Sequence, residues 1–278
     1  MAVQDILVLI ENAGSVASRV AAAAAIASSS GARVSGLFAT GYPISASYGD
    51  FAGWPQLIDA YLAAQRSAGA AAEAVFRQAI AARQLQGEWL YREEDATMAA
   101  TGLAALHDLV IAGQNDPGTG PEGLAGLQPE QVVLGCGRPV IVVPYTGAFP
   151  EIGRRVVVAW NASREATRAL HDSMFLLEAA EAVTIIEVDP PESFGGVTRI
   201  SAADIAAGLT RRGIAATAQT ETAGDISVDA LLLSRAADLA ADLLVMGGYG
   251  HSRLREFVLG GVSRGIFQQM TIPVLMSH

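Results

Sequence analysis

Cysteine, charged residues and aromatic residues are all scarce in this chain of 278 residues. The single cysteine, Cys136, cannot form an internal disulfide and has no CxxC partner for zinc, so a disulfide-stabilised scaffold and a cysteine zinc site are excluded. This cysteine usage fits a reducing compartment. Charged residues make up 17% of the chain and apolar residues 51%, which argues against disorder and allows a sizeable core.

Positive charge and long apolar runs are also lacking. The net charge of −10 repels a polyphosphate backbone, so nucleic acid is not an expected partner, although backbone N–H groups can still hold a small anion. The Ala-rich run Ala21–Ala27 is too short to span a bilayer, and no membrane partner is expected. The start, Met1–Asp5, has no basic segment typical of a signal peptide, which predicts a cytoplasmic protein.

The sequence repeats itself. Asp108–Gly113 reads DLVIAG and Asp242–Gly247 reads DLLVMG, 134 residues later. Pro139–Val143 (PVIVV) and Pro273–Ser277 (PVLMS) are also 134 residues apart. Two apolar segments with the same spacing indicate an internal duplication.

The starts of the two halves, Ile6–Ile10 and Val156–Trp160, are 150 residues apart. The N-terminal half therefore has 16 additional residues, which we assign to a loop at Gly41–Pro55. In both halves short apolar strands alternate with helical segments, among them a predicted helix over Arg164–Glu178. This alternation predicts an α/β fold of two tandem, doubly wound, Rossmann-like domains. Each would be an open five-stranded parallel sheet with helices on both faces.

The predicted domains cover residues 1–146 and 153–278, with the boundary near Pro144–Gly153, a segment with two prolines and two glycines. The last strands, Val140–Val143 and Val274–Met276, are predicted to join the halves about a pseudo-two-fold axis, as an intramolecular dimer. The sequence leaves a further homodimer open.

A glycine-rich segment follows the predicted strand that ends at Met246. Its glycines follow the pattern Gly247-x2-Gly250-x9-Gly260 and lead into a predicted helix. Glycines allow a ligand to approach the main chain, and several N–H groups at a helix start can bind phosphate.

This layout resembles the universal stress protein family, whose ATP-binding members carry G-x2-G-x9-G-[S/T] after the fourth strand. The resemblance covers nearly the whole chain as two copies. It implies that Gly247, Gly250 and Gly260 line the phosphates of ATP bound with Mg²⁺. It also implies that Asn161, at the place of the family's Asp, lies near the nucleoside with Val188.

Two departures from the family pattern concern this site. Gly261 stands where the family has Ser or Thr, so a hydroxyl to phosphate is missing, and Ser263 is the candidate to replace it. Asn161 removes one negative charge and weakens an indirect contact to a metal ion. His251 is either a further phosphate contact or a solvated loop residue.

The N-terminal half lacks the glycine pattern. At the positions that match the C-terminal glycines it has Gly113, Asp116, Gly126 and Leu127. Because an Asp repels phosphate, we expect no nucleotide in this half.

Two literal motif matches are rejected. Gly118–Gly123 reads GxGxxG but does not join a first strand to a helix, so it is interpreted as a loop. Gly261–Gly265 reads GxSxG but does not directly follow a strand, as a nucleophile elbow must.

The resemblance thus implies a stress-response regulatory protein that binds ATP or a related nucleotide in its C-terminal domain. The alternative is a structural or interaction protein of the same fold without nucleotide. An enzyme is the least favoured hypothesis, with slow ATP hydrolysis at most, because no general base or nucleophile can be assigned.

Overall fold

The computed structural model of the chain describes residues 3–41, 54–115, 127–190, 199–248 and 261–278. The strands are β1 (Asp5–Leu9), β2 (Arg33–Ala39), β3 (Gly87–Arg92), β4 (Leu109–Gly113), β5 (Val140–Val143), β6 (Arg155–Ala159), β7 (Ala182–Val188), β8 (Ala216–Glu221), β9 (Leu243–Gly247) and β10 (Val274–Ser277). The helices are α1 (Ala13–Ser30), α2 (Trp54–Ala82), α3 (Ala96–Ala104), α4 (Pro129–Gly135), α5 (Arg164–Asp172), α6 (Met174–Leu177), α7 (Ala202–Thr210), α8 (Val228–Asp238) and α9 (Gly261–Gln269).

The ten strands form one sheet in the order β3-β2-β1-β4-β5-β10-β9-β6-β7-β8. Within each half the paired strands are parallel, and the order reverses between the first and fourth strands of that half. The predicted α/β fold with two five-stranded parallel repeats is therefore confirmed. The sheets are not separate, because β5 and β10 pair in antiparallel fashion, with Leu275 opposite Ile141.

Helices cover both faces of this sheet and create two apolar layers. One core cluster packs the sheet against α1, α2, α5 and α7, and the other packs it against α3, α4, α8 and α9. Each cluster contains residues from both halves. Fully buried strands such as β4 (LVIAG) carry apolar residues on both faces, as expected for a parallel sheet covered on each side.

Two sequence predictions about helices need correction. The helix predicted over 164–178 divides into α5 and α6 at Ser173, whose hydroxyl donates to the carbonyl of Leu170 at 3.0 Å. Such back-bonding competes with regular helical pairing. The additional length of the N-terminal half is not only a loop, since α2 has 29 residues and α7 has 9. Trp54 and Pro55 belong to α2, and residues 42–53 lie outside the described part.

Contacts between the halves follow the internal repeat. After β4, the side-chain amide of Gln114 donates to the carbonyl of Phe267 at 2.7 Å. At the equivalent place after β9, a methyl group added to Gly248 would lie 3.0 Å from Val133 Cγ1. The two contacts are related by the 134-residue offset. Together with the pairing of β5 and β10, these contacts join the two halves, while the pseudo-two-fold dimer stays a prediction.

In the described part of the chain, no helix is both long enough and apolar enough to cross a membrane.

Candidate functional site

The carboxyl ends of β6 and β9 lie side by side in the C-terminal half. β6 lies between β9 and β7 in the sheet. The helices that follow β6 and β9, which are α5 and α9, pack on opposite faces of the sheet. In open α/β sheets such a reversal of strand order opens a crevice beyond the strand ends, where ligands bind. We call this place the C-terminal crevice; Asn161 follows β6 there, and Gly247 ends β9.

The turn after β6 is built by its own side chains. The Oδ1 atom of Asn161 accepts a hydrogen bond from the N–H of Ser163 at 3.1 Å. Ser163 caps α5, because its Oγ accepts from the N–H of Ala166 at 3.0 Å. Ala162, between them, has a φ of 59°, the left-handed region that favours glycine. Asn161, an exposed residue, therefore shapes the turn with its oxygen, and its Nδ2 group is a hydrogen-bond donor.

Gly247 is required by the close approach of α5. A methyl group at this position would lie 2.5 Å from the backbone nitrogen of Ala166 and 2.6 Å from the carbonyl carbon of Glu165. The missing side chain therefore lets the start of α5 lie against the end of β9. Backbone N–H groups in the first turn of a helix carry partial positive charge, which attracts anions.

Helix α9 is the next described element after β9, and its first residues include two of the predicted site residues. Gly261 is exposed, and a methyl group added there would meet no atom within 4 Å. Ser263, two residues later, is only 4% exposed. Ser263, the candidate to supply the missing hydroxyl, is thus a buried residue, and its role toward a phosphate stays a prediction.

The GxSxG match in α9 has a packing explanation. A methyl group at Gly265 would lie 2.0 Å from Oδ2 of Asp229, a buried residue in the first turn of α8. Gln269 also donates to this carboxylate, at 3.4 Å. Gly265 thus lets α8 and α9 approach each other, and no nucleophile elbow is needed to account for the motif.

The remaining predicted site residues lie in different places, and some of them are outside the described residues. Val188 ends β7, next to β6, and is partly buried against the α8–α9 core. Gly250, His251 and Gly260 lie outside the described residues, as do Asp116, Gly126 and Gly118–Gly123 of the N-terminal half. Gly113 and Leu127 are buried.

Sequence reasoning missed a cluster beyond β6 and β7. The indole N–H of Trp160 donates to the carbonyl of Ile200 at 2.9 Å. Glu187, only 3% exposed, forms an ion pair with Arg199 and accepts from the N–H of Ala202 at 3.2 Å. These contacts fix residues 199–202 beside the crevice. A charged residue within the apolar strand AVTIIEV was the one signal of this arrangement.

The helix that follows begins with a capping box. The Ser201 Oγ accepts from the Asp204 N–H, and the Asp204 carboxylate accepts from the hydroxyl and the N–H of Ser201. These hydrogen bonds from Ser201 lower the pKa of the Asp204 carboxyl.

A cavity of about 470 Å³ lies elsewhere, at the amino ends of β6 and β9. It is bordered by the connection between the halves, including Phe149 and Pro150, and by the ion-paired side chain of Arg154. Its walls contain none of the predicted site residues. We regard it as part of the packing of the connecting segment.

Comparison with known proteins agrees with this geometry. Residues 153–278 match the model of the universal stress protein family. A universal stress protein from Archaeoglobus fulgidus is similar in structure, with a TM-score of 0.73 and 17% identity over 98% of this chain and 97% of the other. A functionally unknown protein from Pseudomonas aeruginosa has a TM-score of 0.59 and 14% identity over 99% of this chain and 92% of the other. No curated protein matches the sequence. Residues 153–278 therefore match the universal stress protein family, and the half that precedes them has the same strand order.

Proposed function

We propose that this protein is a cytoplasmic stress-response regulator whose C-terminal domain binds ATP or a related nucleotide in the C-terminal crevice. The division into domains 1–146 and 153–278 is part of this proposal. The observation that carries it is the meeting of α5 and β9 at Gly247, where a side chain is excluded. The start of α5 lies beside the end of β9 there, and we take the main-chain N–H groups of its first turn as the donors to an anion.

The charge of the chain supports binding through the main chain. The sequence contains no lysine, so a lysine-based phosphate site is excluded, and its net charge is −10. A phosphate in the crevice would rely on N–H groups at the starts of α5 and α9, where the helix dipole favours an anion. The Asn161 amide would donate toward the nucleoside. The nucleotide itself would supply the charged groups that Mg²⁺ prefers.

A second function is favoured by one observation. Ser263 is buried and Gly261 has no side chain, so the first turn of α9 has no exposed hydroxyl. This favours the alternative, a structural or interaction protein of the same fold that works without nucleotide. In either case we assign no catalytic residue, and the proposal includes slow hydrolysis at most.

Calorimetric titration with ATP and ADP, with and without Mg²⁺, separates the two functions. The test variant is Gly250→Asp, which places in the glycine segment the residue type that the N-terminal half has at Asp116. The matched control is Gly102→Asp. It adds the same charge at an exposed position of α3, where a methyl group would meet no atom within 4 Å.

We expect micromolar binding to the wild type and to Gly102→Asp, and at least a tenfold loss in Gly250→Asp, since the added carboxylate repels phosphate by roughly 1.4 kcal/mol or more. Equal binding to all three proteins would place the nucleotide elsewhere. An absence of binding to the folded wild type would overturn the proposal and favour the interaction protein.

A further inference from the structure

Arg19 of α1 is an unusual buried residue. It is 5% exposed, although arginine is rarely buried without a partner. Its Nη1 donates to the carbonyl of Leu9 at 2.6 Å, and its Nη2 forms an ion pair with Glu11. Both partners lie at the carboxyl end of β1. The guanidinium is therefore fixed beyond the strand ends, in the place where a ligand enters an open α/β sheet.

The guanidinium also lies against Gly113, the last residue of β4. A methyl group at Gly113 would be 2.0 Å from Nη2 and 2.4 Å from Cζ of Arg19. Since β1 and β4 are neighbours at the reversal of strand order, Arg19 lies at the N-terminal counterpart of the C-terminal crevice. In the C-terminal half, the space opposite the equivalent Gly247 holds the backbone of α5 instead.

The repeat relates these contacts to the candidate ligand residues. Glu11 corresponds to Asn161 through the 150-residue offset, and Gly113 corresponds to Gly247 through the 134-residue offset. Arg19 thus binds or contacts the counterparts of two proposed site residues. We propose that the Arg19 guanidinium is a built-in occupant of the N-terminal crevice, held by Leu9 and Glu11, which closes this half to a ligand.

The physical basis is the cost of an unpaired buried charge. The Glu11 side chain is 31% exposed and the Arg19 side chain is 7% exposed, so the cation is the more deeply buried member of the pair. Removing Arg19 leaves a carboxylate, a carbonyl oxygen and an empty space of guanidinium shape. The proposal concerns the N-terminal half alone. Whether the C-terminal domain binds a nucleotide does not affect it.

The test asks whether a small cation can occupy the space left in Arg19→Ala and so raise the Tm of this variant. Arg19→Ala is heated with methylguanidinium or with methylammonium, which has the same charge without the planar group of donors. We expect methylguanidinium to raise the Tm of Arg19→Ala by about 2 °C or more, and methylammonium to raise it less. The matched control is Arg33→Ala, an exposed arginine at the start of β2, for which we expect no specific shift.

A second variant leaves Arg19 in place. Gly113→Ala must push the guanidinium away, so we expect a lower Tm in the wild-type background and a much smaller decrease in the Arg19→Ala background. Equal decreases in both backgrounds, or equal effects of the two cations, would overturn the proposal. So would a nucleotide titration of the wild type that finds two sites per chain, because the occupied crevice has room for none.

Discussion

At the scale of single residues, the glycines of the C-terminal half differ in what lies opposite them. Gly247 faces the backbone of α5, Gly265 faces the Asp229 carboxylate, and Gly261 faces open space. The sequence shows three glycines and cannot distinguish these surroundings. The consequences of adding one methyl group should therefore differ from one position to the next.

Gly247→Ala tests the first of these surroundings. Because the methyl group would meet main-chain atoms of Glu165 and Ala166 that cannot rotate away, we expect a loss of about 1–3 kcal/mol in the free energy of unfolding. The measurement is urea unfolding followed by circular dichroism.

Gly261→Ala is the control for this prediction. It adds the same methyl group at an exposed helix start with free space around it, so we expect unchanged or slightly higher stability. A Gly247→Ala protein as stable as Gly261→Ala would contradict the close approach of α5 to β9.

Residue roles within the site were only partly predictable. The left-handed Ala162 and the Asn161–Ser163 hydrogen bond depend on backbone geometry that a sequence pattern does not specify. The pairing of Arg19 with Glu11 and its contact with Gly113 arise from a helix, a strand end and a second strand end that meet only after folding. Glycine spacing, by contrast, is visible in the sequence, and it pointed to the carboxyl end of β9 as the candidate site.

At the scale of elements, each half uses one aspartate to hold its first strand. Asp242 accepts hydrogen bonds from the N–H groups of Gly153 at 2.7 Å and Arg154 at 3.0 Å. Asp108, its counterpart, accepts from the N–H groups of Gln4 at 2.8 Å and Asp5 at 3.2 Å. The aspartate that begins both DLVIAG and DLLVMG thus has a structural role. The sequence repeat shows that both halves have this aspartate, and the structure shows what it binds.

Asp242→Ala should loosen the start of β6. Removing the acceptor leaves the N–H groups of 153 and 154 without their charged partner, so we expect a loss of about 1.5–3 kcal/mol in unfolding free energy. The control is Asp238→Ala, which removes an aspartate in an exposed ion pair with Arg235 and should change stability by less than about 1 kcal/mol. Chemical denaturation gives both values, and similar losses would argue against a special role for Asp242.

At the scale of the whole molecule, the two halves behave as one packed body. The sheet continues through β5 and β10, and each core cluster includes side chains from both halves. The two parallel repeats and the strands at their junction were predictable, because buried apolar strands repeat at a constant spacing. Only the start of the long α2 was missed, since Trp54 and Pro55 were grouped with a loop on composition alone, while the first turn of a helix accepts proline.

The junction predicts that the halves stay together when the connection between them is cut. A specific protease site inserted between Thr146 and Gly147, both exposed, allows cleavage of the folded chain. Because β5 and β10 bury Ile141, Val142, Val274 and Leu275 fully, we expect both fragments to co-elute in size-exclusion chromatography after cleavage.

Adding Met276→Lys, a charge at a fully buried position of β10, should separate or unfold the cleaved fragments, whereas His278→Lys should not. Fragments that separate freely without any substitution would show that the connection, rather than the strand pair, holds the two halves together.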